Sequence, residues 1–294
     1  MEKHMMKFGN SSLAIIVPKK WIDKNGLDTS SQIRVSENAN GDLVISSREE
    51  PVREREEVVE SDRSQTAVER LIGLHYMFGT TRLRLYFRNG SGKAWVKKIS
   101  EMVKEECPGF EIISHSVNDI VIEDFNNIRD VDIWKILGRL KLIIKQEFRE
   151  IDEEDMKGLD ESERLINRFY MLGVRHVNLL GTDDAIRYFV ILQMLEMISD
   201  NLNILCQPHG IKNRRVIGRL EEQFDACFAG LGGKTESVER SMALREKIYS
   251  DAGSLRLDAL RSNAVREITN EISRISEFGL YINRGSNEAA GTFE

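Results

Sequence analysis

The chain has 294 residues, of which 41% are hydrophobic and 31% charged, with a formal net charge of -6 and only four prolines. This composition predicts a globular, mainly helical protein of about two or three domains. We find no apolar run of about 18 residues and no secretory signal, so we expect a cytoplasmic protein without membrane insertion. Three widely spaced cysteines without a Cys-x-x-Cys pattern argue against a disulfide framework and a zinc ribbon.

The first 48 residues have the pattern of a small β unit with one short helix. The segment 11–17 is apolar and β-prone, Pro18 suits a first helical turn, and Gly26 ends that helix. The Asn40-Gly41-Asp42 stretch lies between two alternating segments, which is a strong hairpin signal. A unit this short buries little surface by itself, so we expect it to intertwine with a second copy of the chain.

The next 80 or so residues comprise a highly charged segment followed by a segment of mixed helix and strand patterns. Residues 49–64 are dense in charges of both signs, which predicts a charged, solvated linker. Residues 65–130 then predict a small α+β module with no catalytic constellation. Its elements are a helix over 66–78, the alternating strand "TRLRLYF", a helix over 91–109 and two strands around Asn118-Asp119.

The remainder, from residue 131 to about residue 285, is helical throughout, and residues 286–294 form a flexible tail. Six helices are predicted over about 131–150, 154–178, 183–206, 211–230, 235–252 and 257–284. A firm stop at Pro208 divides them into two three-helix bundles. His176, beside Arg175, is interpreted as a surface residue. The predicted fold class is therefore mainly α, with an N-terminal β unit, a small α+β module and two three-helix bundles.

The basic residues at the start of the chain oppose its overall charge. Five lysines stand among the first 25 residues, where Glu2 and Asp23 are the only acids. Lysines near DNA gain affinity by releasing counterions from phosphates. On charge alone, however, a solvated face that keeps a small domain soluble is the more ordinary interpretation.

The order of motifs in this unit favours a DNA-binding role over a merely solvated face. They are Gly9-Asn10-Ser11-Ser12, Ile16-Val17-Pro18-Lys19, Gly26-Leu27, and the strands of Ile33/Val35 and Leu43/Val44/Ile45. Over about 45 residues the segment resembles the swapped-hairpin DNA-binding domain of the AbrB/SpoVT transition-state regulators. The resemblance implies a homodimer that binds double-stranded DNA, with basic side chains contributed by Lys7, Lys19, Lys20 and Arg34.

Glu196 and Asp200 stand four residues apart in an apolar stretch, so they share one helical face. On spacing alone, a solvated face or a salt bridge to Arg164 or Arg187 is more ordinary than a metal site. The helices "YFVILQMLEMISDNLNIL", "ESERLINRFYMLGVR" and "SRISEFGLYI", however, resemble the acidic helices of the PhoU family, and the likeness extends over about 131–285. It implies divalent or ferric metal ions at Glu163, Asn167, Glu196, Asp200 and Glu277.

The chain departs from that family pattern at three positions, since Asn167 and Tyr281 replace aspartates and Asn201 stands after Asp200 where histidine is usual. Together the two likenesses resemble an archaeal-type phosphate uptake regulator. This architecture implies a non-enzymatic, DNA-binding transcriptional regulator of phosphate uptake or homeostasis with a helical sensing domain. A phosphate transporter ATPase or a signalling protein is the expected protein partner. The alternative is an adaptor that does not bind DNA and regulates a transporter or kinase by protein contact.

Overall fold

The computed structural model describes residues 6–8, 12–37, 43–46, 54–59, 64–88, 92–125, 132–180, 185–206, 214–231, 234–254 and 257–285. These residues are mainly α-helical with β structure near the N-terminus, which confirms the predicted fold class. The chain divides into two compact units, residues 1–52 and residues 53–294.

The N-terminal unit contains two antiparallel strand pairs and one short helix. Its elements are β1 (Met6–Phe8), β2 (Ser12–Ala14), α1 (Lys19–Asn25), β3 (Arg34–Glu37) and β4 (Leu43–Ser46). Strand β1 pairs with β2, and β3 pairs with β4 in the register of the predicted hairpin, whose turn lies outside the described residues. Helix α1 ends at Gly26, whose φ of 61° is a left-handed conformation that glycine adopts without a steric penalty.

Residues 54–59 differ from the predicted charged linker, because they form strand β5 (Glu54–Val59). This strand runs parallel to β6 (Arg82–Phe87) at the edge of a sheet, and Arg55 and Glu56 are exposed. An edge strand is held by backbone hydrogen bonds along one side and tolerates charged side chains. Its composition therefore resembles that of a linker.

The α+β module follows the predicted order of elements. It consists of α2 (Gln65–Met77), β6, α3 (Gly92–Glu106), β7 (Phe110–His115) and β8 (Asp119–Asp124). The sheet has the order β5-β6-β8-β7, in which β8 is antiparallel to both of its neighbours. Leu83, Leu85 and Phe87 of β6 are fully buried, while the alternating residues Arg82, Arg84 and Tyr86 are exposed, so this strand packs one face on the core.

Six helices complete the second unit, close to the predicted positions. They are α4 (Ile133–Glu153), α5 (Met156–Leu180), α6 (Ala185–Cys206), α7 (Arg214–Leu231), α8 (Thr235–Ser254) and α9 (Ala259–Gly285). The first three pack together, as do the last three, and α6 packs along α9 while α4 contacts α7. One hydrophobic core therefore runs through both triplets.

Helix α6 is the one described helix that is long and apolar enough to cross a membrane by length and composition. It packs against both α5 and α9, where Ile191, Leu195 and Leu202 are fully buried. A helix that packs against neighbours on several sides is apolar over most of its circumference. Packing inside the bundle therefore accounts for the composition of α6.

Helix α5 joins the bundle to the α+β module through a buried ion pair. The Arg175 side chain, 1% exposed, donates to Asp124 Oδ2 of β8 and to the Tyr76 carbonyl oxygen of α2, both at 2.5 Å. Its guanidinium also lies over the rings of Tyr76 and Phe110. The surface assignment of His176 is wrong, because the side chain is buried, with 3% of its surface exposed.

Candidate functional site

The N-terminal unit presents the predicted basic residues on three elements. Lys7 lies in β1, Lys19 and Lys20 open α1, and Arg34 begins β3. The three lysine side chains are exposed, whereas only the backbone of Arg34 falls within the described part of the structure. Exposed lysines are free to approach a phosphate backbone, so these positions fit a nucleic-acid contact.

This unit also exposes large apolar side chains, and none of its described residues is buried. The exposed set is Met6, Leu13, Ile15, Ile16, Ile33, Val35 and Leu43. Leu13 and Leu43 are 65% and 58% exposed, although a domain with its own core would bury such residues. So many exposed apolar side chains in one small unit indicate an interaction surface.

Three of the predicted acidic residues come together between α5 and α6. The pKa of Glu196 is raised to about 7, first by burial and then by the charge of Asp200. Burial is also the main cause of the raised pKa of Glu163, with Asp200 next. Asn167 lies partly buried on α5, one turn after Glu163. The carboxylates of Glu163, Glu196 and Asp200 therefore form one electrostatic cluster.

Two further carboxylates of this cluster, Glu147 and Glu150 of α4, are absent from the sequence prediction. Glu147 is fully buried and accepts a hydrogen bond from Ser199 Oγ at 2.5 Å, while Glu150 accepts one from Ser162 Oγ at 3.1 Å. The second carboxylate oxygen of each is buried without a hydrogen-bond partner.

The protonation of Glu147 follows from this burial. Its pKa is raised to about 8, and burial is the largest cause. The Ser199 hydrogen bond lowers the pKa, while the charges of Glu150, Glu163 and Asp200 contribute to raising it. Glu147 is therefore protonated and neutral in most molecules at pH 7.

Glu196 has an uncharged partner rather than the arginine that the salt-bridge alternative requires. Gln193 Nε2 donates to Glu196 Oε2 at 3.1 Å, and the Tyr170 hydroxyl donates to Gln193 Oε1 at 2.9 Å. Arg164 acts instead on Glu163, whose pKa its charge lowers. A neutral amide does little to offset the cost of burying a carboxylate, which agrees with the raised pKa of Glu196.

The predicted metal ligands do not assemble into a centre in the described part of the chain. No group of three or more His, Cys, Asp or Glu side chains there is arranged to hold a metal ion. Glu277 is exposed on α9, in the other helix triplet, and the side chain of Tyr281 lies outside the described residues. The described side chains do not fit a multinuclear metal centre, so metal binding stays a prediction from the family resemblance.

Comparison with known proteins supports the N-terminal assignment. Residues 6–57 match the family model described as "Antidote-toxin recognition MazE, bacterial antitoxin". Neither the curated proteins nor the solved structures gave a match. Domains of the MazE and AbrB type are dimeric, non-enzymatic and DNA-binding, so the N-terminal unit is a domain of the regulator type. The likeness of the helical half to PhoU is suggested by its helices alone.

Proposed function

We propose that this protein is a cytoplasmic, non-enzymatic transcriptional regulator of phosphate uptake or phosphate homeostasis. Its N-terminal unit binds double-stranded DNA, and its helical domain senses the signal. The observation that carries the proposal is that the MazE-like match covers the same residues that expose Lys7, Lys19 and Lys20. The phosphate assignment rests on the resemblance of the six helices to PhoU.

The active form is a homodimer of interlocked N-terminal units. The apolar side chains that this unit exposes, such as Leu13 and Val35, become buried when a second copy packs its matching set against them by symmetry. A Val35→Glu variant places a charge in that dimer interface and is expected to sediment as a monomer. An unchanged sedimentation coefficient would show that the dimer contact lies elsewhere.

The DNA contact is tested by titrating labelled genomic fragments, including promoters of phosphate transport genes, at several salt concentrations. Each lost phosphate contact reduces the slope of log affinity against log salt by about 0.9. Lys19→Ala/Lys20→Ala removes four lysines from a dimer, so we expect a slope reduced by up to about four and weaker binding to every fragment.

A matched control is available in the second unit. Lys97 and Lys98 are adjacent, exposed lysines on α3, so Lys97→Ala/Lys98→Ala changes the net charge equally. The control is expected to bind DNA like the wild type. An equal loss of DNA affinity in both variants would show that net charge alone causes the effect. If the folded wild-type protein binds none of the fragments, the DNA-binding part of the proposal is wrong.

The second candidate function is an adaptor that regulates a transporter ATPase or kinase by protein contact. It is favoured by the overall charge of -6, which opposes binding to a polyanion. In that case the N-terminal unit only dimerises the chain. Capture of the purified transporter ATPase by the full-length protein, unaffected by Lys19→Ala/Lys20→Ala and without any DNA binding, would select this candidate.

A further inference from the structure

A cleft of about 500 Å³ opens on the surface formed by α4 and α5, and its charge is opposite to that of the chain. Four basic side chains line it, and no acidic side chain does so in the described part of the structure. The residues that matter for its chemistry are Arg139, Lys141, Leu142, Lys145, Arg149 and Leu165. A basic concavity on a chain of net charge -6 is an unusual feature that calls for an anionic occupant.

Helical geometry places three of the four cations along one face of α4. Arg139, Leu142, Lys145 and Arg149 recur at intervals of three or four residues, so they lie above one another on that face. The Cα atoms of the two arginines are about 15 Å apart along the helix axis. Leu142 and Leu165, 59% and 37% exposed, stand beside them. The cleft therefore has a row of cations along its α4 side and two exposed leucines beside that row.

The four cations differ in how far they are already engaged. Lys145 Nζ lies 2.9 Å from both carboxylate oxygens of Asp225, and Lys141 Nζ lies over the Phe228 ring. Arg149 meets Gln146 Oε1 at a long 3.5 Å.

Arg139 lies over the ring of Phe169, which leaves the edges of its guanidinium open. No carboxylate among the described residues pairs with Arg139 or Arg149. Each guanidinium carries five N–H donors, so these two arginines keep most of theirs for a ligand.

Phosphate is the anion that suits such a pair. Guanidinium groups bind phosphate oxygens through two parallel hydrogen bonds, and two separated arginines favour a ligand with more than one phosphate. The volume falls within the range of about 300 to 1,000 Å³ that is usual for small-molecule sites. The exposed leucines offer a contact for a flat apolar group, such as a nucleobase.

We propose that the α4–α5 cleft binds a nucleoside di- or triphosphate, with the phosphates on Arg139 and Arg149 and the base over Leu142 and Leu165. This site goes beyond the proposed contact with DNA and does not depend on it, since the N-terminal lysines belong to another unit. Binding there gives the helical half a ligand of its own.

The test is isothermal titration of the full-length protein with ADP, ATP, tripolyphosphate and inorganic phosphate. We expect ATP to bind more tightly than inorganic phosphate, and tripolyphosphate to lie between them. Arg139→Ala and Arg149→Ala should each weaken ATP binding by about tenfold or more, because each removes charged hydrogen bonds. Leu142→Ser should weaken ATP binding while leaving tripolyphosphate binding unchanged.

Lys135→Ala is the matched control, because Lys135 is an exposed cation of α4 that does not line the cleft. Its ATP affinity should equal that of the wild type. The proposal is overturned if no phosphate compound binds at millimolar concentration, or if Arg139→Ala and Arg149→Ala bind ATP as well as the control does. It is also overturned if an acidic peptide binds the cleft and ATP does not, which would make the cleft a protein-docking surface.

Discussion

The buried Glu147 carboxyl makes the stability of the helical domain depend on pH in a specific direction. Its pKa rises from 4.5 to about 8 on folding, mainly through burial. Between these two values the folded chain holds a proton that the unfolded chain has released. Stability therefore falls as pH rises from about 4.5 to about 8, and this decrease is complete above that range.

The size of this effect follows from the two pKa values. A tenfold change in a protonation equilibrium corresponds to about 1.4 kcal/mol. The cost to the folded state is less than about 1 kcal/mol at pH 5, about 3 kcal/mol at pH 7 and about 5 kcal/mol above pH 8. Glu147→Gln removes it, because the amide has the shape of the protonated carboxyl and can still accept the hydrogen bond from Ser199.

Urea unfolding at several pH values between 5 and 9 measures the effect. Glu147→Gln should be about as stable as the wild type at pH 5, and its advantage should grow steadily with pH. Glu161→Gln, at an exposed position of α5, should differ from the wild type by less than about 0.5 kcal/mol at every pH. A variant that is less stable than the wild type at pH 8 would refute the reasoning and would indicate a cation that keeps Glu147 ionised.

Two more predictions concern the packing around α5. Arg175→Met leaves Asp124 buried without its cation, so urea unfolding should show a loss of about 3 to 5 kcal/mol, and a loss below about 1 kcal/mol would contradict the buried pair. A Cβ at Gly173 would lie 2.7 Å from a Leu192 methyl, so Gly173→Ala should cost about 1 to 3 kcal/mol. Gly138→Ala, with open space at the Cβ, should instead stabilise the chain by about 0.5 to 1 kcal/mol; equal effects at both glycines would refute the packing argument.

Local signals explain why the helices of the second unit were predictable. Asp132 caps α4 through a hydrogen bond to the Trp134 amide, and breaks such as Pro208 stop a helix whatever its tertiary partner. The packing of α6 along α9 has no such signal, because a long apolar helix specifies burial but not the neighbour. The division into two triplets was therefore predictable, whereas their common core was not.

The acidic cluster shows where the same approach fails. The spacing of Glu196 and Asp200 predicts that they share a face, whereas Glu147 belongs to no motif. The position of Glu147 in the helix does predict its burial, since Leu140, Ile144 and Glu147 lie on one otherwise apolar stripe of α4. An acid in the register of a buried stripe must be neutral or paired, so the helical period does contain the information. Strand β5 was not predicted for a different reason: an edge strand needs no apolar pattern, so its sequence carries no signal of a strand.

Connectivity suggests how a signal in the helical half would reach DNA under the proposed function. The N-terminal unit ends at Val52, and the chain enters edge strand β5 at Glu54. The sheet that contains β5 is held to α5 by Arg175, and α5 also contributes to the nucleotide cleft. A ligand that shifts α5 would therefore act on the sheet from which the N-terminal unit extends. Linkage then requires that DNA alter the affinity for that ligand by the same factor as the ligand alters the affinity for DNA.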